Sequence, residues 1–328
     1  MPDTEHILRI KDLRVEYRVR EGFVKSVDDI DLDIEKGKFT AIIGESGCGK
    51  STLNNVIMDI LSPNAVIGKN SRVFFNGEDL LKLDRERLRQ FRWRKAAMVF
   101  QAAQNALNPL LKVSEQFLDV IEDHETGEKK RESLQRINKL LELVKLDSRR
   151  VLSSYPHELS GGMRQRTIIA LALVLDPEFL ILDEPTTALD IITQSYIFDI
   201  LTDIHNRLGL TMALVTHDIS AAARLADNVV VMYAGKIMET GDIHSIFNSS
   251  RHPYSRGLLN AMPSIEGETV KKKPIPGSPP DLLNKPPGCV FHPRCGLAGE
   301  ICAKEEPGLE DTGGGHKTAC HKWREALP

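Results

Sequence analysis

The chain has 328 residues, room for one large domain with an appendage or for two modest domains. A formal net charge of −3 and a pI near 6.4 leave no broad basic footprint, so general nucleic-acid binding is not suggested. No apolar run approaches the ~20 residues that span a bilayer, and the acidic start MPDTEHILRI has no secretory leader, so any membrane role is expected to be peripheral.

In chain order, Ile7 to Val19 and Val24 to Ile34 alternate apolar and polar residues around Arg20-Glu21-Gly22, the pattern of two antiparallel strands. Tyr17 near the end of the first is either a ring that stacks on adenine or a plain strand aromatic. Phe39 to Asp59 then reads FTAIIGESGCGKSTLNNVIMD, a short apolar strand, a glycine-rich loop and a helix. That order suits a triphosphate. Gly44, Gly47 and Gly49 free the backbone so that N–H groups, with those of Ser46 and Cys48, can face phosphate oxygens at a positive helix end. Lys50 is placed to reach the β- and γ-phosphates, Ser51 to ligate Mg²⁺ and Thr52 to hold the α-phosphate. Cys48 is either a small filler residue or, beside the helix start, a thiol of lowered pKa open to modification.

Ser71 to Phe75 reads as a strand before an Asn76-Gly77 turn, and Ala96 to Phe100 as another ending at Gln101. Apolar residues then fall at helical spacing in Ser114 to Glu122, Lys129 to Leu146 and Ser160 to Leu175, which predicts a helical subdomain over about 102–167 inside an α/β core. Strand signals resume at Glu178 to Leu182, Thr211 to Val215 and Asn228 to Met232, with helices at Ile192 to Arg207 and Ile219 to Ala226. This is βαβ alternation, predicting a parallel sheet. Eleven of the 17 prolines lie between Arg251 and Pro328, among them Pro274. The expected division is therefore an ATPase domain over 1–248 and a loop-rich, proline-rich extension over 249–328, held by something other than a core.

Phe179-Leu180-Ile181-Leu182-Asp183-Glu184-Pro185 is an apolar strand ending in two carboxylates. It can deliver Asp183 to the Mg²⁺ beside Ser51 and Glu184 to the attacking water. Upstream, Leu159-Ser160-Gly161-Gly162-Met163-Arg164-Gln165 opens a helix and forms a second anion-binding end. One chain thus owns two phosphate sites.

These residues resemble the ATP-binding cassette (ABC) ATPases over about Ile7 to Phe247. The resemblance implies a P-loop nucleotide-binding domain with a mixed sheet, an antiparallel β subdomain and a helical subdomain. It implies head-to-tail pairing of two cassettes, so that the loop of one faces Ser160, Gly161, Gly162 and Met163 of the other across ATP. Met163 replaces the family's usual Gln there. On the same resemblance Gln101 senses Mg²⁺ and the membrane partner, Asp190 couples the two sites and His217 contacts the γ-phosphate.

Cys289, Cys295, Cys302 and Cys320 are spaced C-x5-C-x6-C-x17-C. Such a cluster in a cytosolic chain points to metal before disulfides, and four thiolates suit Zn²⁺ or an iron–sulfur cluster. With HPYSRGLL, IPGSPPDL and GCVFHPRC the tail looks like the C-terminal extension of ATPase subunits from dipeptide and oligopeptide importers. That resemblance implies a [4Fe-4S] cluster, with Zn²⁺ as the alternative, and three kinds of partner: a second, non-identical ATPase, two transmembrane permease subunits and an extracytoplasmic solute-binding protein. It places the chain at the cytoplasmic face of the plasma membrane, hydrolysing ATP to drive peptide uptake. Nickel chelates or oligosaccharides are the alternative cargo, and a soluble cassette ATPase acting on DNA or ribosomes the alternative class.

Overall fold

The computed structural model describes residues 5–124, 130–261 and 275–326. Lys129, Pro274 and the first four residues, on which expectations above rest in part, lie outside it. Two compact units result: residues 1–81 with 215–328, and residues 82–214.

In the first unit, strands His6–Val19 and Gly22–Glu35 pair antiparallel from His6 opposite Glu35 to Val19 opposite Gly22. Register shifts interrupt the ladder, and Asp12 and Asp29 take positive φ of 48° and 61°. Such irregularities let Ile10, Leu13 and Val15 all be buried although strict alternation would not allow it. Arg72–Phe75 joins the same sheet, and Asn76 and Gly77, both at positive φ, turn it into Glu78–Asp79. That double positive φ is the reason an Asn-Gly pair serves there.

The second sheet of this unit starts from Phe39–Ile43, whose five residues are all buried. It runs parallel to Asn228–Tyr233, which pairs antiparallel with Lys236–Asp242. The tail then extends the sheet, since Lys317–Thr318 pairs with Lys236–Asp242 and Glu310–Asp311 pairs with Lys317–Thr318. Here the expectation of an extension without a core is corrected. Tyr254, Cys289, Val290, Phe291 and Cys302 pack in one buried cluster with Ile43, Val231 and Tyr233. Tyr233 lies 4.6 Å from Tyr254 and 5.3 Å from Phe291, ring centre to ring centre. Burying each such ring stabilises by about 1.5–3 kcal/mol, so aromatic residues anchor what proline-rich chain cannot hold by regular structure.

In the second unit, Ala96–Val99 runs parallel to Phe179–Asp183, with Val99 opposite Leu182. Its α-helices among the described residues are Arg85–Phe91, Val113–His124, Lys130–Leu143, Ser148–Ser153, Gly161–Ala172 and Ile191–Leu208. Val113, Phe117 and Ile121 are buried at intervals of four, the stripe expected of a packed helix. Val113–His124, Lys130–Leu143 and Ser148–Ser153 fall within residues 102–167, and Asp147 supplies a cap that starts Ser148–Ser153 by accepting from Arg150 N.

Candidate active site

The phosphate loop joins the buried strand Phe39–Ile43 to the helix Lys50–Ile57. Glycine is required at both ends of it by close backbone approach. A Cβ on Gly44 would lie 2.1 Å from the Met232 carbonyl oxygen, and one on Gly49, at φ 108°, 2.2 Å from that of Ser26. The loop closes on itself through Cys48 N to Glu45 O at 3.3 Å and is tied down by Gly235 N to Cys48 O at 2.8 Å. The buried Lys50 Nζ donates to Gly44 O at 2.7 Å and Glu45 O at 3.1 Å. Its charge is thus held over the loop.

Ser46, Gly47 and Ser51 are exposed on the same loop and helix start. Thr52 is buried, its hydroxyl 2.8 Å from Ser26 Oγ and 3.3 Å from the Tyr17 hydroxyl. Half-buried Tyr17 therefore stands beside the helix start. His217 is exposed directly after the strand Thr211–Thr216, next to Asp218, which caps Ile219–Leu225.

Burial decides between the two readings of Cys48. The sequence allows a small filler residue or a thiol of lowered pKa at the helix start, and the filler reading holds, because the residue is only 4% exposed and burial pushes the thiol up. Lys50 Nζ, 3.7 Å from the sulfur, opposes the shift without reversing it. Desolvation of a thiolate outweighs the partial charge of a helix end, so Cys48 is a packing residue.

The two carboxylates belong to the second unit. All five residues of Phe179–Asp183 are buried, and Asp183 is 4% exposed at the strand's end. The next residue, Glu184, takes φ 47°, which costs about 1–2 kcal/mol for a residue with a Cβ. Surrounding structure holds it there. Gln101 Nε2 donates to Glu184 Oε2 at 2.9 Å, and Thr187 Oγ1 to the same oxygen at 3.1 Å. The parallel register of Val99 with Leu182 brings Gln101 and Glu184 together. Thr187 is absent from the predicted set, although a hydroxyl three residues after a site carboxylate is a legible signal.

Ser160 caps the helix Gly161–Ala172, its Oγ accepting from Met163 N at 3.3 Å. Gly162 is fixed by packing, because a Cβ there would meet Thr193 Cγ2 at 2.7 Å. Asp190 caps Ile191–Leu208 and accepts from Thr193 N at 2.9 Å and Thr193 Oγ1 at 2.7 Å. Those hydrogen bonds from Thr193 hold its carboxyl below the usual range. Thr193, also outside the predicted set, thus touches both the glycine turn and the aspartate. Ile191 and Ile192 beside them are each 83% exposed.

In the tail, Cys289, Cys295, Cys302 and Cys320 all line one small cavity, with His252, His292 and His321. None is in a disulfide. Burial pushes the Cys289 thiol up to about 11 and the Cys320 thiol up to about 12. Among the described residues no group of three or more His, Cys, Asp or Glu side chains is arranged to hold a metal ion. The predicted metal centre is not shown.

Two family models match the chain: "ABC transporter" over residues 27–187, and "Oligopeptide/dipeptide transporter, C-terminal region" over residues 238–302. The dipeptide transport ATP-binding protein DppD of Caldanaerobacter subterraneus subsp. tengcongensis is 48% identical over 322 residues, 98% of each chain. The oligopeptide transport ATP-binding protein OppD of Escherichia coli is 40% identical, over 98% of this chain and 94% of its own length. Among solved structures, the dimeric MJ0796 bacterial ABC transporter cassette matches with a TM-score of 0.64 and 30% identity, over 72% of this chain and 98% of its own. The same cassette bound to ADP and Pi in a post-hydrolysis state matches with a TM-score of 0.63. The two transport ATP-binding proteins match this chain along nearly its whole length and the solved cassette over 72% of it, and the chain belongs to the ABC transporter ATPases of the dipeptide and oligopeptide type.

Proposed function

We propose that this subunit binds MgATP on Gly44 to Thr52, hydrolyses it with Glu184 as the base, and powers the import of peptides. The observation that carries the catalytic part is the Glu184 carboxylate, set at the end of a buried strand and held on one oxygen by Gln101 and Thr187. A carboxylate so fixed can orient and deprotonate water attacking a γ-phosphate. Ser51, Gln101 and Asp183 offer only oxygen donors, the set a hard cation takes, and would hold Mg²⁺. Bound there, Mg²⁺ would neutralise charge developing on the phosphate oxygens. Lys50 and the loop N–H groups bind phosphate, Tyr17 faces the base, and His217 contacts the γ-phosphate.

Two cassettes pair, this subunit with a second, non-identical ATPase. Ser160 to Met163 then serve the companion's nucleotide and Asp190 couples the two sites. The exposed Ile191 and Ile192 beside Asp190 support such a covered face. Leu110, 84% exposed between Gln101 and Asp123, supports docking of a permease there. Two permease subunits and an extracytoplasmic solute-binding protein complete the assembly at the cytoplasmic face of the membrane; among the described residues no helix is long and apolar enough to cross one. The names of the relatives support a peptide cargo. In liposomes holding all these subunits, ATP hydrolysis is expected to rise on addition of a di- or oligopeptide with its binding protein. Stimulation by a nickel chelate or an oligosaccharide, and not by peptides, would reject the cargo.

The four cysteines are assigned a [4Fe-4S] cluster, with Zn²⁺ as the alternative. The donor set fits either, since four thiols share one cavity; ligation would expel the protons that burial now favours. Protein purified without oxygen is expected to carry iron and acid-labile sulfide. Zinc without sulfide selects the alternative, and neither metal removes the site.

A further inference from the structure

Arg294 belongs to the cysteine-bearing tail, in the short helical turn His292–Arg294 just before Cys295. Only 6% of its side chain is exposed. Its guanidinium grips the Glu45 carboxylate at two points, Nη1 to Oε2 at 2.7 Å and Nη2 to Oε1 at 3.1 Å. Nε donates to Pro276 O at 2.8 Å and Nη1 also to the Tyr233 hydroxyl at 3.1 Å. These bonds engage all three guanidinium nitrogens and fix the fork's direction, which a lysine could not reproduce.

Glu45 follows Gly44 at the entry to the phosphate loop. Its N–H donates to the hydroxyl of Tyr254, another tail residue, at 3.0 Å, and its carbonyl accepts from Lys50 Nζ. One loop residue is thus held through its side chain, its N–H and its C=O, the first two by residues after position 250. Pro279 to Leu282 also share a cavity of about 370 Å³ with Ser46, Gly47 and Cys48, and Leu282 O accepts from Lys25 N at 3.2 Å. Tail residues thus both hold the loop and line a cavity with it.

We propose that Arg294 is a positioning residue for ATP: through Glu45 it holds the loop in its phosphate-receiving shape before nucleotide arrives. A loop ordered in advance leaves less conformational entropy to be lost on binding. Since the ground state and the transition state use the same loop N–H groups, loss of this order weakens binding while leaving the chemical step alone. The inference rests on the reading of Gly44 to Thr52 as the ATP site, which Lys50→Ala tests separately in the same assay.

The test uses the full chain and a fluorescent ATP analogue, with KM and kcat measured beside its companion subunit. Arg294→Ala is expected to weaken binding and raise KM about tenfold, with kcat within about twofold of wild type. Glu45→Gln should show the same loss, the double variant no more than the larger single loss, and Arg294→Lys a partial rescue. Glu45→Gln keeps the contacts of Arg294 to Pro276 and Tyr233, so it serves if Arg294→Ala fails to fold. Unchanged affinity in Glu45→Gln, additive losses, or a fall in kcat at constant KM would overturn the proposal. Wild-type affinity in Lys50→Ala would instead remove the loop reading itself.

Discussion

Glu184→Gln is expected to bind MgATP as wild type does and to lose about 10²- to 10⁴-fold in kcat, the usual contribution of a general base. The substitution keeps shape and volume but removes the charge that can accept a proton from water. Gln101 Nε2 and Thr187 Oγ1 both donate to Glu184 Oε2, and an amide oxygen can still accept from them, so the local structure should survive. A smaller companion effect follows for Thr187→Val, which removes one of the two donors while Gln101 still orients the carboxylate. Turnover near wild type in Glu184→Gln would take Glu184 out of the chemistry and leave the buried Asp183 as the residue to test.

Gly49→Ala is the second large effect. Gly49 sits at φ 108° as the residue capping the phosphate-loop helix, and an added Cβ would lie 2.2 Å from Ser26 O. A non-glycine residue in such a conformation costs about 1–2 kcal/mol, and overpacking against backbone adds about 1–3 kcal/mol. Ser26 cannot yield freely, because its hydroxyl holds Thr52 at 2.8 Å. The variant is expected to lose nucleotide binding and to unfold at lower denaturant concentration. Gly47→Ala is the contrast: φ is 79°, but nothing lies within 4 Å of an added Cβ, so only the conformational cost remains. Equal losses in the two variants would show that loop flexibility, not the approach to Ser26, is what glycine supplies at position 49.

These variants fall on residues that were legible in the sequence, and the reason is chemical. A turn that cradles phosphate, a strand that ends in two acids and a serine-glycine-glycine helix start each require particular residue types at short spacing, so local pattern carries them. The helices around Phe117 and the strand Phe179–Asp183 were legible for a related reason, since apolar periodicity reports burial. Contacts across the chain were not. Arg294 meets Glu45 over 249 positions of sequence, and neither residue carries a local signal of its partner. The proline content of the tail pointed to a segment without a core. Tyr254 and Phe291, large aromatics in a stretch of no periodicity, were the available counter-signal, and they pack on Tyr233. Cys48 stays open between filler and reactive thiol in the sequence because a helix start is visible there whereas 4% exposure is not. Thr193 carries no local signal because its role is to sit between Gly162 and Asp190, a relation that exists only after folding.

The proposed mechanism turns on nucleotide clamped between the loop of one cassette and Ser160 to Gly162 of another. Its most direct measurement is the mass, by light scattering, of Glu184→Gln mixed with its companion ATPase, with and without MgATP. Formation of a two-cassette particle only with MgATP, abolished by Lys50→Ala, is the predicted result. Unchanged mass while MgATP is demonstrably bound would contradict the account.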